Sequence, residues 1–234
     1  MQSETIANPF WQFGNRGRVA VFIDGNNLFH AARFHNLDID YNKLLRVLLG
    51  DGRLLRAFFY TGVDAGAERQ QGFLLWMRRN GFRVVQKELK TFYDGTRKAN
   101  LDVEIAVDML SLAGKYDTAI LVSGDEDFVY AVNAVAYKGC RVEVAGFRSN
   151  TAPKLIDVAD FFIDIGEIGD MVRKDASQGD HYSVPSFVPP DEMPPPNLLA
   201  RRNLGPLPRG HRLRSGDRLR TEQGREPERG EPFS

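Results

Sequence analysis

The chain has 234 residues, 42% of them hydrophobic, which is enough to build the core of one medium-sized domain and leave residues over. Its 31 lysines and arginines balance 31 aspartates and glutamates, so the net charge gives no sign of a nucleic-acid partner. Cys140 is the only cysteine, which excludes a disulfide-based fold and a thiolate metal site. The apolar residues around Cys140 predict a buried thiol.

Composition divides the chain into three parts. Residues 1–17 form a polar extension that contains an aromatic cluster, residues 18–169 form the domain, and residues 170–234 are rich in proline and arginine. The last part cannot bury enough apolar surface to offset the cost of ordering, so we expect a disordered tail whose removal after Gly169 leaves a folded domain. Neither a signal-peptide pattern nor a membrane-spanning apolar run is present, so we expect a cytoplasmic protein with no membrane partner.

Hydrophobic periodicity predicts alternating strands and helices along the domain. The predicted strands cover residues 19–23, 54–60, 82–85, 119–122, 141–147 and 161–165. The predicted helices cover residues 26–34, 41–49, 67–80, 101–114, 128–138 and 153–158. This alternation with short connections predicts an α/β fold in which helices flank both faces of a mainly parallel sheet.

Residues 87–100, KELKTFYDGTRKAN, interrupt the alternation. The stretch is basic, contains Phe92 and Tyr93, and has a turn signal at Asp94 and Gly95, so it forms either a hairpin or a mobile loop. One interpretation is a solvated excursion with ordinary lysines. The other is a loop that faces phosphates, because cations interleaved with aromatic residues suit a single-stranded nucleic acid.

Carboxylates follow two of the predicted buried strands. The stretch TAILVSGDEDF over residues 118–128 ends in a loop with Asp125 and Asp127, and the apolar run of RVAVFIDGNN over residues 18–27 ends at Asp24. Because ligands of open α/β sheets bind beyond the carboxyl ends of the strands, we expect these acids to face a common site.

A fourth acid, Asp102, lies in the first turn of a predicted helix, at the edge of its apolar face. Four converging carboxylates cannot all ionise unless cations offset their repulsion. Oxygen ligands without clustered histidines or cysteines favour Mg²⁺ or Mn²⁺ over zinc. Such an ion suits phosphoryl transfer or phosphodiester hydrolysis, because it binds phosphate oxygens and activates water. Asp108 falls on another side of the helix and is left out of the site.

Other interpretations of the same residues stay open. Taken singly, Asp24, Asp125 or Asp127 could cap the helix that follows it. Asp24 could also be the nucleophile of a phosphotransfer enzyme with an aspartyl intermediate, although the sequence IDGNN lacks the second aspartate expected two residues later. A nicotinamide-binding fold is disfavoured, because no glycine-rich phosphate turn follows the first strand.

Four motifs carry a resemblance to a known family. The segments VAVFIDGNNL, KANLDVEIAVDML, AILVSGDEDFVYAV and KGCRVEVAGF occur in the order found in NYN domains of the LabA-like group, within the PIN-like nuclease superfamily. The resemblance covers residues 18–165. It implies a three-layer, Rossmann-like (PIN-like) fold and a metal-dependent ribonuclease. It also implies that Asp24, Asp102, Asp125 and Asp127 form the acidic cluster, that Asn27 supports it and that Lys98 lies near the phosphate.

On this basis we expect a Mg²⁺- or Mn²⁺-dependent endoribonuclease that cuts single-stranded RNA through a metal-activated water. Asp24 and Asp125 are expected to be the principal metal ligands, and Asp102 and Asp127 to hold a second ion or orient water. The residues expected to contact the substrate are Asn26, Asn27, Ser123, Lys87, Lys90, Arg97 and Lys98. The alternative is an RNA-binding or regulatory protein that keeps the fold with weak or no catalysis. A homo-oligomer is compatible with either function.

Overall fold

The computed structural model describes residues 15–64, 68–91, 93 and 97–175, without the side chains of residues 68, 69, 97 and 98. The aromatic cluster of the N-terminal extension and the tail after Asp175 lie outside the described residues, as do Phe92 and the Asp94–Gly95 turn. The disorder expected for the tail therefore stays a prediction.

A six-stranded, fully parallel sheet forms the centre of the domain, with the strand order β3-β2-β1-β6-β7-β8. Counting only these six strands, the order is 3-2-1-4-5-6, as in the Rossmann fold. Strands β4 and β5, of two residues each, pair as an antiparallel hairpin that is not part of this sheet. The strands are β1 (Arg18–Asp24), β2 (Arg53–Val63), β3 (Phe82–Glu88), β4 (Lys90–Thr91), β5 (Arg97–Lys98), β6 (Thr118–Val122), β7 (Arg141–Gly146) and β8 (Phe161–Asp164).

Helices cover both faces of this sheet. They are α1 (Gly25–Phe34), α2 (Tyr41–Leu49), α3 (Glu68–Arg79), α4 (Asp102–Leu112), α5 (Val129–Ala136), α6 (Pro153–Val158) and α7 (Gly169–Val172). Buried residues of α1, α2, α3 and α7 share one hydrophobic core, and those of α4, α5 and α6 share the other. The predicted three-layer α/β fold is therefore confirmed.

Strand β1 lies between the two cores, which explains its uninterrupted apolar sequence. Val19, Val21 and Ile23 point into one core, Ala20 and Phe22 point into the other, and all five side chains are fully buried. A strand covered on both faces needs no polar positions, since neither set of alternating side chains meets water. The same burial applies to β6, whose five residues are all inaccessible to solvent or nearly so.

The structure differs from the sequence-based expectation at the β3–β5 region and at the end of the domain. Strand β3 continues to Glu88, so Lys87 belongs to the sheet rather than to the irregular stretch, and the hairpin alternative is confirmed by the Lys90–Lys98 pairing. Helix α7 was not predicted; it begins at Gly169, where we expected the domain to end, and the domain bounds stay a prediction. Cys140 is a free, buried thiol as predicted.

Candidate metal centre

The candidate site lies at the carboxyl ends of β1 and β6, the two neighbouring strands at which the strand order of the sheet reverses. Asp24 is the last residue of β1, and Asp125 follows β6 by three residues. The crevice at such a switch point is where open α/β sheets bind their ligands, because the connecting chains leave it in opposite directions. The topology thus delivers acids from separate parts of the sequence to one place.

Three of the four predicted acids form a tight group. Asp102, at the start of α4, and Asp125 and Asp127, after β6, each offer a carboxylate oxygen, and these oxygens all lie within 4.8 Å of one another. Asp125 is half-buried and its Oδ1 accepts a hydrogen bond of 3.0 Å from the Asp127 amide, while Asp127 is exposed. We call Asp102, Asp125 and Asp127 the acidic triad.

The fourth acid, Asp24, lies beside the acidic triad and outside the 4.8 Å group. It caps α1, because its Oδ1 accepts from the Asn27 amide at 3.1 Å, and its Oδ2 accepts from the Ser123 hydroxyl at 3.2 Å. Burial, chiefly, and the nearby charges of Asp102 and Asp125 raise the pKa of Asp24 to about 6. The capping role considered for Asp24 from the sequence is therefore real, and it coexists with a place in the site.

A network of short polar contacts fastens the β6 loop to the start of α1. The Gly124 amide donates to Asn27 Oδ1 at 2.9 Å, and the Asp125 amide donates to Ser123 Oγ at 3.3 Å. Gly124 itself lies against the backbone of Asn150, so closely that a Cβ atom at this position would overlap the Asn150 carbonyl oxygen. The SGD and GNN sequences thus position the carboxylate of Asp125 through Asn27 and Ser123.

Asp102 is held by a residue that the sequence analysis missed. Asn100 donates from Nδ2 to Asp102 Oδ2 at 2.7 Å and accepts from the Asp102 amide at 2.9 Å. An asparagine two residues before a helical aspartate is a signal of this kind of local turn, and it was available in the sequence. Burial raises the pKa of Asp102, with further increases from Asp125 and Asp127 and an opposing effect of Asn100.

Lys87, whose side chain is partly exposed, contributes to this support, and its contact with a substrate stays a prediction. Its ammonium group donates to the Asn100 carbonyl at 2.9 Å and pairs with Glu104 at 2.7 Å, which lowers the pKa of Glu104. Lys90 is exposed on the hairpin, and the side chains of Arg97 and Lys98 lie outside the described part of the structure.

A cleft of about 310 Å³ opens beside the acids. Asn26 lines it, with its Oδ1 accepting from the Thr61 hydroxyl at 3.4 Å. Sequence reasoning missed part of the lining, because the contributing residues come from separate strands and helices without a shared motif. The lining residues are Asp24, Asn26, Asn27, His30, Tyr60, Leu89, Ala99, Asn100, Leu101, Asp102 and Asp125. Asp108, which the sequence analysis left out of the site, accepts from the hydroxyl of the lining residue Tyr60 at 2.9 Å and does not itself line the cleft.

The donor set of the acidic triad fits a hard divalent cation. It consists of carboxylate oxygens alone, and clusters that include histidine or cysteine ligands are not found among the described residues. Beyond the effect of burial, repulsion by the neighbouring carboxylates raises the pKa of Asp102, and a bound cation would relieve that repulsion.

A three-layer α/β domain with carboxylates gathered at the switch point of a parallel sheet defines the class as PIN-like. The NYN domain family profile matches residues 18–166, and the chain belongs to the NYN domain family. Within that family it is LabA-like: it is 32% identical over 180 residues to the Low amplitude and bright protein LabA of Synechococcus elongatus, covering 74% of this chain and 96% of the relative.

Two further proteins are similar to this chain. An uncharacterized protein of Methanocaldococcus jannaschii is 27% identical over 153 residues, which are 64% of this chain and 56% of that protein. The crystal structure of a protein of unknown function from Vibrio parahaemolyticus superposes with a TM-score of 0.60 at 28% identity, covering 74% of this chain and all of that one. Among the described residues, every helix is too short or too polar to cross a membrane.

Proposed function

We propose that this protein is a divalent-metal-dependent endoribonuclease that hydrolyses phosphodiester bonds in single-stranded RNA. The observation that carries the proposal is the acidic triad, whose carboxylate oxygens lie within 4.8 Å of one another at the switch point of an NYN domain. Membership of a family within the PIN-like nuclease superfamily supports nuclease chemistry. Asp102, Asp125 and Asp127 are the residues that would hold Mg²⁺ or Mn²⁺, with Asp24 beside them.

When bound, such a cation lowers the pKa of a coordinated water and offsets negative charge on the phosphate. The protein's own residues supply position. Asn100 fixes the carboxylate of Asp102, and Ser123 and Asn27 fix the loop that carries Asp125. Asp24, a carboxylate beside the acidic triad whose pKa is raised chiefly by burial, is the proposed base that accepts a proton from an attacking water.

The cleft supplies the binding surface for the strand. Its amide side chains, Asn26 and Asn100, offer donors and acceptors, and Leu89, Ala99 and Leu101 offer apolar contact to a base. Lys90 on the adjacent hairpin is exposed, and a cation there attracts the phosphate backbone. Arg97 and Lys98, from the same hairpin, stay proposed phosphate contacts.

Cleavage of a labelled single-stranded RNA tests the proposal. The parent protein should cut with Mn²⁺ or Mg²⁺ and not with EDTA, and Asp125→Asn should reduce the rate by at least about 100-fold, because it removes a ligand charge at nearly constant volume. The side-chain amide oxygen that this substitution introduces can still accept from the Asp127 amide, so the fold should persist. Asp51→Asn, an exposed turn residue, is the matched control. Parent-like cutting by Asp125→Asn would reject the proposed centre.

The second candidate is an RNA-binding protein without catalysis. The observation that favours it is the place of Asp24, whose oxygens bond Asn27 and Ser123 and lie outside the acidic triad. Three carboxylates without the fourth would then bind a cation but lack the arrangement needed for hydrolysis. RNA that is bound but not cut by the parent protein, with either metal, would select this function.

A further inference from the structure

The solvent-facing side of α4 and α5 carries four exposed apolar or aromatic side chains. Val103 and Val107 of α4 are 68% and 53% exposed, and Tyr130 of α5 and Tyr137, directly after α5, are 83% and 89% exposed. The two helices contact each other on the same face of the sheet, and helical spacing aligns each pair in an outward stripe. We call this surface, defined by these four residues, the α4–α5 face. Apolar surface of this extent at two adjacent helices marks an interaction site.

The charges at the two ends of the α4–α5 face are opposite. Asp102 and Asp127 lie at the end where both helices begin, and the exposed Lys115 and Lys138 follow the ends of α4 and α5. The exposed positions between these ends carry no charge. They are Val103, Val107 and Ser111 on α4, Tyr130 on α5, and Tyr137 directly after α5. A partner must therefore be apolar in the middle, basic at one end and acidic at the other.

A second copy of the same chain satisfies this pattern in one orientation. In a two-fold dimer the same patch is buried on both copies, and the two-fold axis lies in the plane of the interface. This axis can run perpendicular to the helices or parallel to them. An axis across the helices makes them antiparallel, with the basic end of one copy over the acidic end of the other. An axis along the helices places acid on acid, which is repulsive. The charges select the antiparallel arrangement.

We propose that the α4–α5 face binds a second copy of this chain in an antiparallel two-fold dimer, with Lys115 and Lys138 of each copy beside Asp102 and Asp127 of the other. In this arrangement Tyr130 of each copy lies near Tyr137 of the other, and aromatic residues contribute strongly to protein interfaces. The dimer does not depend on the proposed catalytic activity.

Cysteine cross-linking reads out the orientation. Val107 is the central residue of α4, so an axis across the helices brings it close to its own copy in the partner. The natural Cys140 is buried, which leaves an introduced thiol as the reporter. Under mild oxidation Val107→Cys should give a disulfide-linked dimer of the full chain, and Leu75→Cys, 46% exposed on α3 at the opposite face, should not. Cross-linking through Leu75→Cys but not Val107→Cys would overturn the proposal.

Sedimentation equilibrium measures the dissociation constant of the dimer, and circular dichroism shows that each variant is folded. Val107→Asp should raise the dimer dissociation constant about 100-fold, because it buries an unpaired charge, and Leu75→Asp should leave it unchanged. Lys138→Glu should weaken an antiparallel dimer, whereas it would strengthen a parallel one and so contradict the arrangement. A folded parent chain that stays monomeric, with RNA affinity lost on Tyr130→Ala, would overturn the dimer and assign the face to RNA.

Discussion

Asp24 is the residue at which the fold and the proposed chemistry make opposite demands. Its carboxylate caps α1 and accepts from Ser123, yet it is buried near two other acids, and its pKa is raised to about 6. A perturbed carboxylate in a cleft is typical of a functional site. Keeping Asp24 ionised at neutral pH costs free energy of folding, which an asparagine of the same shape would avoid.

We therefore expect Asp24→Asn to raise the free energy of unfolding at pH 7, in EDTA, by about 1–2 kcal/mol. The full shift would correspond to a larger gain, but the variant gives up a good acceptor for the Ser123 hydroxyl. The same substitution should lower metal-dependent cleavage, because it removes the proposed base. Urea unfolding and the RNA assay, run on one preparation, check both parts.

The pH dependence of the free energy of unfolding tests the direction of this effect. Since the folded-state pKa of Asp24 is above its unfolded value of about 4, the native state binds more protons between pH 4 and 6. The stability contributed by protonated Asp24 is thus complete below pH 4 and is lost as the pH rises through 6. The difference in the free energy of unfolding between Asp24→Asn and the parent should disappear at pH 4. The Asp51→Asn control should not differ from the parent. A difference in the free energy of unfolding that grows as the pH is lowered would contradict the raised pKa of Asp24.

The sequence predicts which residue types form the site better than it predicts their partners. Asp125 and Asp127 follow a buried strand, and parallel topology alone brings them near Asp24. The assignment of Asp24 and Asp125 as principal ligands stays a prediction, since the structure groups Asp125 with Asp102 and Asp127 instead. Lys87 was expected to contact a phosphate because it is basic. In the structure its ammonium group contacts Asn100 and Glu104. These contacts depend on the packing of β3 beside α4, which the local sequence does not show.

At the scale of elements, long apolar patterns were predictable and short elements were not. Helices α2 and α6 have the predicted bounds, because their leucines or their N-terminal proline mark them locally. Helix α7 has four residues, too few to show a helical period, and tertiary contacts hold it. These contacts should lower the stability of a chain cut after Gly169, and our expectation that such a chain still folds stays a prediction.

Truncation after Gly169 should lower the free energy of unfolding by about 2–4 kcal/mol, because it removes a buried side chain and several backbone contacts. Val172 is fully buried in the core, and its carbonyl accepts from the Asp40 amide at 2.8 Å. Lys174 donates its amide to the Asp38 carbonyl at 3.0 Å, and its side chain pairs with Asp38. Urea unfolding monitored by circular dichroism measures the loss.

The matched control is truncation after Asp175, which keeps α7 and all of these contacts. We expect this variant to unfold cooperatively with a stability within about 0.5 kcal/mol of the full chain. Equal stability of the two truncated forms would show that α7 contributes nothing to the core, against its observed burial.

At the scale of the whole molecule, the sheet topology brings the acids to one edge of the sheet, and contacts with the helices hold them there. Strands β1 and β6 end side by side at the switch point, α4 brings Asp102 across from the other direction, and the cleft opens between them. Buried strands of this kind vary little in position, so they form a rigid base for a metal site. The central claim is that this arrangement binds a divalent cation through the acidic triad.

Titration of Mn²⁺ into RNA-free protein, followed by the electron paramagnetic resonance of the free ion, tests that claim most directly. The parent chain and Asp51→Asn should bind Mn²⁺ with the same affinity, and Asp125→Asn and Asp102→Asn should each bind at least about tenfold more weakly, because each lacks a ligand charge. Parent-like Mn²⁺ affinity in both triad variants would contradict the account and place any bound metal elsewhere.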